Sequence, residues 1–177
     1  GAAAGSIAVQ IEDNDAQPTL SIVDLSLNEG NAGETVAAFV VTLANPSAAA
    51  VQAGFSTTDG NAQAGNDYLA GSGAVTFAPL ETSNTLSVVV QGEQVYEGDE
   101  TFLVNLHDAV NGTIADGQGI GTIVNDDAQP ALSIGDVSVS EGNGGVSVIS
   151  FPVTLSNPSS QSLDVEYLTA DGSALAG

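Results

Sequence analysis

Residues 15–65 can be laid on residues 127–177 without a gap, at an offset of 112, and slightly more than half of the positions are identical. Asp15-Ala16-Gln17-Pro18 returns as Asp127-Ala128-Gln129-Pro130, Glu29-Gly30-Asn31 as Glu141-Gly142-Asn143, and Asn45-Pro46-Ser47 as Asn157-Pro158-Ser159. A repeat of this length constrains the fold strongly. One period must close its own core and join the next copy through a short link. The phase of the repeat predicts three pieces: 1–15 as the last strand of a preceding unit, 16–127 as a complete unit, and 128–177 as the first half of a following one.

Within a period the apolar residues alternate in short runs broken by Gly, Asn, Asp and Pro, and helix-period stretches are missing. Seven strands follow for the complete unit: A over about 19–27, B near 35–44, C near 50–58, D near 73–78, E near 84–91, F near 100–107 and G near 118–124. Phe39, Val41 and Leu43, then Val75 and Phe77, then Leu86, Val88 and Val90, and then Phe102, Val104 and Leu106 are the expected inward faces. Seven short strands with such spacing predict an all-β, antiparallel, immunoglobulin-like sandwich, repeated in tandem. Ile7-Ala8-Val9-Gln10-Ile11 then corresponds to a G strand, and residues 131–170 to strands A to C.

The chain has 22 Asp plus Glu and neither Lys nor Arg, a formal charge of -22. Without bases it has no means of gripping nucleic acid or an anionic membrane surface. No apolar run is long enough to span a bilayer as a helix. With no Cys there is neither a disulfide frame nor a thiolate metal site.

Loop connectivity sorts the acids. In a sandwich with alternating strands, the AB, CD and EF loops and the exit of strand G share one end. Glu29, Asp59, Asp67, Glu93, Glu97, Asp99, Glu100, Asp126 and Asp127 all fall there, nine of the fourteen acids of the complete unit. Two carboxylates ~5 Å apart repel by roughly 3 kcal/mol at an effective dielectric of about 20. Such a cluster persists by taking up protons or a cation, and an all-oxygen carboxylate set suits Ca2+ better than Mg2+ or Zn2+. The alternative is that acids simply occupy solvated loops, which by itself spreads them over both ends.

Several segments carry a family resemblance: Asn28-Glu29-Gly30-Asn31, Asp59-Gly60-Asn61-Ala62-Gln63-Ala64-Gly65-Asn66-Asp67-Tyr68, Gly73-Ala74-Val75-Thr76-Phe77, Tyr96-Glu97-Gly98-Asp99-Glu100-Thr101-Phe102 and Gly121-Thr122-Ile123-Val124-Asn125-Asp126-Asp127. Together they resemble the Calx-beta domain, a calcium-binding sandwich of sodium–calcium exchangers and of many bacterial surface proteins. The resemblance implies Ca2+ ligands at Glu29, Asp59, Glu93, Glu97, Glu100, Asp126 and Asp127. It implies Asp13 and Asp15 as ligands of the preceding unit and Glu141 and Asp171 as ligands of the following one. Asn125 stands where the richest calcium sites have an Asp, so one or two ions per unit are expected.

The remaining candidates are weak. His107 is the only His and has no nucleophile arranged with it, so no catalytic residue and no enzyme activity is expected. Asn111-Gly112-Thr113 matches a glycosylation sequon but reads as the FG turn. Tyr68 reads as packing, and Asp99 as a turn residue rather than a ligand.

The functional expectation is a structural repeat of a bacterial cell-surface or secreted protein, located outside the cell. Ca2+ at the joints between adjacent repeats would stiffen a stalk, adhesin or fibre, with neighbouring chains as further partners. The alternatives are a calcium-sensing regulatory module of a membrane transporter and a filament subunit assembled by strand complementation.

Overall fold

The computed structural model describes residues 9, 10, 12 and 14–174. Ile7, Ala8, Ile11 and Asp13 lie outside the described residues, and with them most of the expected first strand.

The complete unit contains β1 (Thr19–Ile22), β2 (Leu25–Asn28), β3 (Gly33–Leu43), β4 (Val51–Asp59), β5 (Ser72–Phe77), β6 (Ser83–Gly92), β7 (Glu100–Val110), β8 (Thr113–Asp116) and β9 (Gln118–Val124). One sheet has the order β6-β3-β1-β8 and the other β2-β9-β7-β4-β5. The two inner faces are the residues that alternation selects. Phe39, Val41, Val51, Ala53, Phe77, Val90, Phe102 and Val104 are fully buried. Phe39 and Phe102 meet edge to face across the sandwich at 5.8 Å, an arrangement that ring quadrupoles favour.

Strands A and G each divide, so nine strands stand where seven were expected. After β1 pairs antiparallel with β3, the chain crosses at Val23 and Asp24 to the other sheet, where β2 runs parallel to β9. The Asp24 carboxylate accepts a hydrogen bond from the Ile120 amide at 2.8 Å and fixes the crossing. Strand G divides at Gly117 into β8, parallel to β1, and β9, antiparallel to β7. By changing sheets, each divided strand contributes one segment to each sheet, with β8 and β2 at the edges.

Gly121 shows why β9 can lie so close to the core. A Cβ there would sit 2.5 Å from Phe102 Cζ and 2.9 Å from Phe39 Cζ. No side chain fits while those rings keep their contact.

The second unit follows the first as far as it goes. β10 (Leu132–Ile134) pairs antiparallel with β11 (Val153–Leu155). Its register, Leu132 opposite Leu155 and Ile134 opposite Val153, is that of Leu20 opposite Leu43 and Ile22 opposite Val41, moved by one period. The expected counterpart of strand C is not formed among the described residues. In the complete unit β4 is held between β5 and β7, and residues 128–174 contain no counterparts of those two partners.

Candidate metal centre

Four segments bring acids to one end of the sandwich: the β2–β3 turn, the β4–β5 loop, the β6–β7 loop and the chain leaving β9. Each is placed by a specific local cause. Glu29 is fixed through its backbone, its amide donating to Val124 O at 3.3 Å and its carbonyl accepting from Thr35 Oγ1 at 3.0 Å. The turn then reverses at Gly30, whose φ of 85° favours glycine. Gly30 N donates to Asp126 Oδ1 at 3.2 Å, which ties the turn to the segment after β9. Gly92 lets β6 pass close beneath this turn, since a Cβ there would meet Gly30 O at 2.3 Å.

The β4–β5 loop is anchored by Tyr68, which is 1% exposed and stacks on Phe102 at 4.5 Å. Its hydroxyl donates to Asp59 Oδ1 at 2.6 Å, and the Ala64 amide donates to the same oxygen at 2.9 Å. Burial of the ring and the Asp59 hydrogen bond hold the Tyr68 phenol up at about 12. The neighbouring Asp67 receives Gln91 N on its backbone carbonyl at 2.9 Å. Burying one ring therefore sets the position of the carboxylate beside it.

One carboxylate oxygen each from Asp67, Glu97 and Glu100 lie within 4.8 Å of one another. Around them stand Glu29, Glu93, Asp126 and Asp127, whose charges act on one another. Glu29 is 6% exposed and its carboxyl is raised to about 7, by burial first and then by the charges of Glu93, Asp127, Glu97 and Asp126. Glu100 is also raised to about 7, by burial, by a hydrogen bond with Asp67, and by the charges of Asp67, Glu97 and Glu29. Glu93 is raised by burial and then by Glu97, Asp67 and Asp127. Asp127 Oδ2 is buried without a hydrogen-bond partner among the described residues.

Of the sequence-predicted residues, Glu29, Glu93, Glu97, Glu100, Asp126 and Asp127 lie near one another at this end, and the arrangement differs from the expectation at two positions. Asp59 accepts hydrogen bonds from the loop, and Asp67, eight positions on, accepts from the Gln63 amide at 2.6 Å and also joins Glu97 and Glu100. Its adjacency to Tyr68, an aromatic that has to be buried, was the available signal. The second difference is Asn125. Its Oδ1 accepts from the Glu97 amide at 3.3 Å, its Nδ2 donates to Asp127 O at 3.2 Å, and its own amide donates to Asp99 Oδ1 at 3.2 Å. The amide that replaces a carboxylate here braces two acid-bearing segments against each other. Asp99 acts as the expected turn residue. Asp15 lies in the segment before β1, Glu141 and Asp171 lie in the second unit, and none belongs to the group formed by Asp67, Glu97 and Glu100.

A divalent hard cation fits this donor set. The candidate donors are all carboxylates, the chain has neither Lys nor Arg, and among the described residues a buried oxygen of Asp127 has no partner.

A family model for the Calx-beta domain matches residues 13–127 and again 124–177. The sodium/calcium exchanger 2 proteins of Rattus norvegicus and Homo sapiens are each 30% identical over 145 residues, covering 70% of this chain and 15% of the exchanger. Sodium/calcium exchanger 1 of Canis lupus familiaris is 39% identical over 66 residues, 37% of this chain and 7% of the exchanger. The chain thus spans a small part of the curated relatives it matches. Among solved structures, the apo-form Calx CBD1 domain superposes with a TM-score of 0.53 at 22% identity, over 63% of this chain and 100% of that one. The calcium binding domain CBD12 of CALX1.1 gives 0.56 at 21% identity, over 71% of this chain and 54% of that one. Calx-beta domains bind Ca2+ and are not a family of enzymes. By sequence match over both of its repeats and by fold, this chain belongs to the Calx-beta domain family.

Proposed function

We propose that the chain is a calcium-responsive regulatory module in which Ca2+ at the acidic end of one repeat controls its coupling to the next. The observation that carries this is the convergence of carboxylates from four segments where no positive charge is available to pair with them. Glu29, Asp67, Glu93, Glu97, Glu100, Asp126 and Asp127 are the residues proposed to hold the ion, with Asp59 supporting the loop that delivers Asp67. The bound ion supplies positive charge that neutralises mutually repelling carboxylates.

The chain's own residues account for the coupling. Asp126 and Asp127 begin the link Asp126-Asp127-Ala128-Gln129-Pro130, and Pro130 restricts its φ. Holding these two acids against Glu29 and the β6–β7 loop fixes where the next repeat starts. Their repulsion when unneutralised loosens it. At ten times its dissociation constant an ion stabilises the folded state by about 1.4 kcal/mol per site.

The named relatives favour a calcium-sensing module of a transporter over an adhesin or stalk, because they are exchangers of mammals rather than bacterial surface proteins. An array of repeats outside the cell is accordingly the second reading, supported by the 112-residue period alone. The two readings share the cation site.

The test is a thermal scan in EDTA and in stepwise calcium, on the parent and on a variant carrying Asp126→Asn and Asp127→Asn. The parent should rise by roughly 4–8 °C at saturating calcium, and the variant should lose most of that rise. A parent midpoint indifferent to calcium would leave the acids as a solvated loop end and remove the regulatory reading.

A further inference from the structure

The complete repeat touches the second unit through an explicit backbone contact. Tyr96, in the β6–β7 loop, pairs with Ser159 as a parallel bridge. Tyr96 N donates to Pro158 O at 3.0 Å, and Ser160 N donates to Tyr96 O at 3.2 Å. Ser159 Oγ donates to the same Tyr96 carbonyl at 3.2 Å. The receiving segment, Asn157-Pro158-Ser159, is the counterpart one period later of Asn45-Pro46-Ser47.

The two segments are built alike. Asn157 Nδ2 donates to Ala128 O at 2.7 Å, and Asn45 Nδ2 to Ala16 O at 2.6 Å. Gln161 N donates to Ser159 Oγ at 3.0 Å, and Ala49 N to Ser47 Oγ at 3.1 Å. The same Asp-Ala-Gln-Pro link precedes both. In the first copy no loop pairs with this segment among the described residues. Pro46 and Ala48 are exposed, and the Pro46 carbonyl and Ala48 amide make no backbone hydrogen bond among the described residues. A concavity of about 350 Å³ opens beside them, lined by Asp15, Ala16, Asn45 and Pro46.

We infer that residues 45–48 form a docking surface for the β6–β7 loop of another Calx-beta repeat, which enters with the backbone of its Tyr96 counterpart. The partner lies on the N-terminal side and is carried there by a link of the Asp15-Ala16-Gln17-Pro18 type. Recognition is by one carbonyl, one amide and one hydroxyl, so replacing Ser160 by Ala48 leaves it intact. Each repeat offers a loop at one end and its receiver at the other. The contact is head to tail and propagates from repeat to repeat. This inference rests on the repeat reading within the proposed function and not on the cation, so its failure and the failure of calcium binding are separable.

The chain has no Cys, which makes disulfide trapping unambiguous. Bridge partners fall within the ~4.4–6.8 Å Cα separation that a disulfide tolerates. In the natural chain, Tyr96→Cys with Ser159→Cys should close under mild oxidation. The core of the complete repeat lies wholly between Leu20 and Ile123, so a chain with residues 16–127 placed twice ahead of 128–177 has a closed core in each copy. There, Tyr96→Cys in the first copy with Ser47→Cys in the second should close as fully as the natural pair. Leu80 adjoins the surface, its amide donating to Ser47 O at 2.8 Å, so the control is the exposed Val110: Tyr96→Cys with Val110→Cys in the second copy should stay reduced. Closure of the natural pair without closure at Ser47 overturns the inference, as does equal closure at Val110. Failure of the natural pair removes its basis. Calcium titration of the same chains reads the other proposal independently.

Discussion

Asp59 and Asp67 carry the same charge in the same loop and do different work. Asp59 is a hydrogen-bond acceptor for Tyr68 and Ala64, whereas Asp67, one oxygen of which accepts from the Gln63 amide at 2.6 Å, also stands with Glu97 and Glu100. Asp59→Ala should therefore lower calcium-free stability by about 1–3 kcal/mol, the usual consequence of stranding a buried donor, as read by chemical denaturation. Asp67→Asn keeps an oxygen that can accept from the Gln63 amide, so it should leave that stability unchanged or raised while weakening calcium binding about tenfold or more in calorimetric titration. A calcium affinity unaffected by Asp67→Asn would exclude that residue from the site. The raised carboxyls give a pH prediction of unusual sign. Glu29 and Glu100 hold protons up to about 7 in the folded chain, above the ordinary value of 4.5. The folded state then binds more protons than the unfolded one between these values, so calcium-free stability falls as pH rises through that window. Calcium should abolish the fall, and its binding near pH 6 should release protons. Glu29→Gln should flatten the calcium-free profile, which denaturation at a series of pH values would show.

At the scale of elements, β9 is the strand on which both core and site depend. Its glycines let it approach Phe39 and Phe102, and its last residues lead straight into Asn125, Asp126 and Asp127. Gly121→Ala should destabilise the repeat by about 1–3 kcal/mol through overpacking against Phe102. It should also displace the segment after β9 and weaken calcium binding. A stability loss with unchanged calcium affinity would show that the core and the acid-bearing exit are uncoupled. Tyr68 links the same two levels from the β4–β5 loop. One face of its ring covers Phe102 in the core while its hydroxyl holds Asp59.

At the scale of the whole molecule, the joint is the element that reports. Tyr96 adjoins Glu97, and its backbone receives the second unit, so the loop that carries an acid of the site also carries the contact between repeats. The Ser160 amide should exchange with solvent more slowly in calcium than in EDTA, as hydrogen exchange would register. Equal rates would uncouple the joint from the ion. By itself the sequence determined the sandwich class, because period-two alternation permits little else, and it determined the repeat with its 112-residue phase. It also sent the acids to one end, because alternating strands leave loops no choice of end. Only the tertiary structure decided that strands A and G would each serve both sheets, since covering an edge is a property of the closed sandwich. It also decided that Asp67 rather than Asp59 would meet Glu97 and Glu100, and that Asn125 would be a brace. The adjacency of Asp67 to Tyr68 is legible in the sequence, but where that ring is buried against Phe102, and which distant segments meet around it, depend on contacts far apart in the chain that no local pattern of residues encodes.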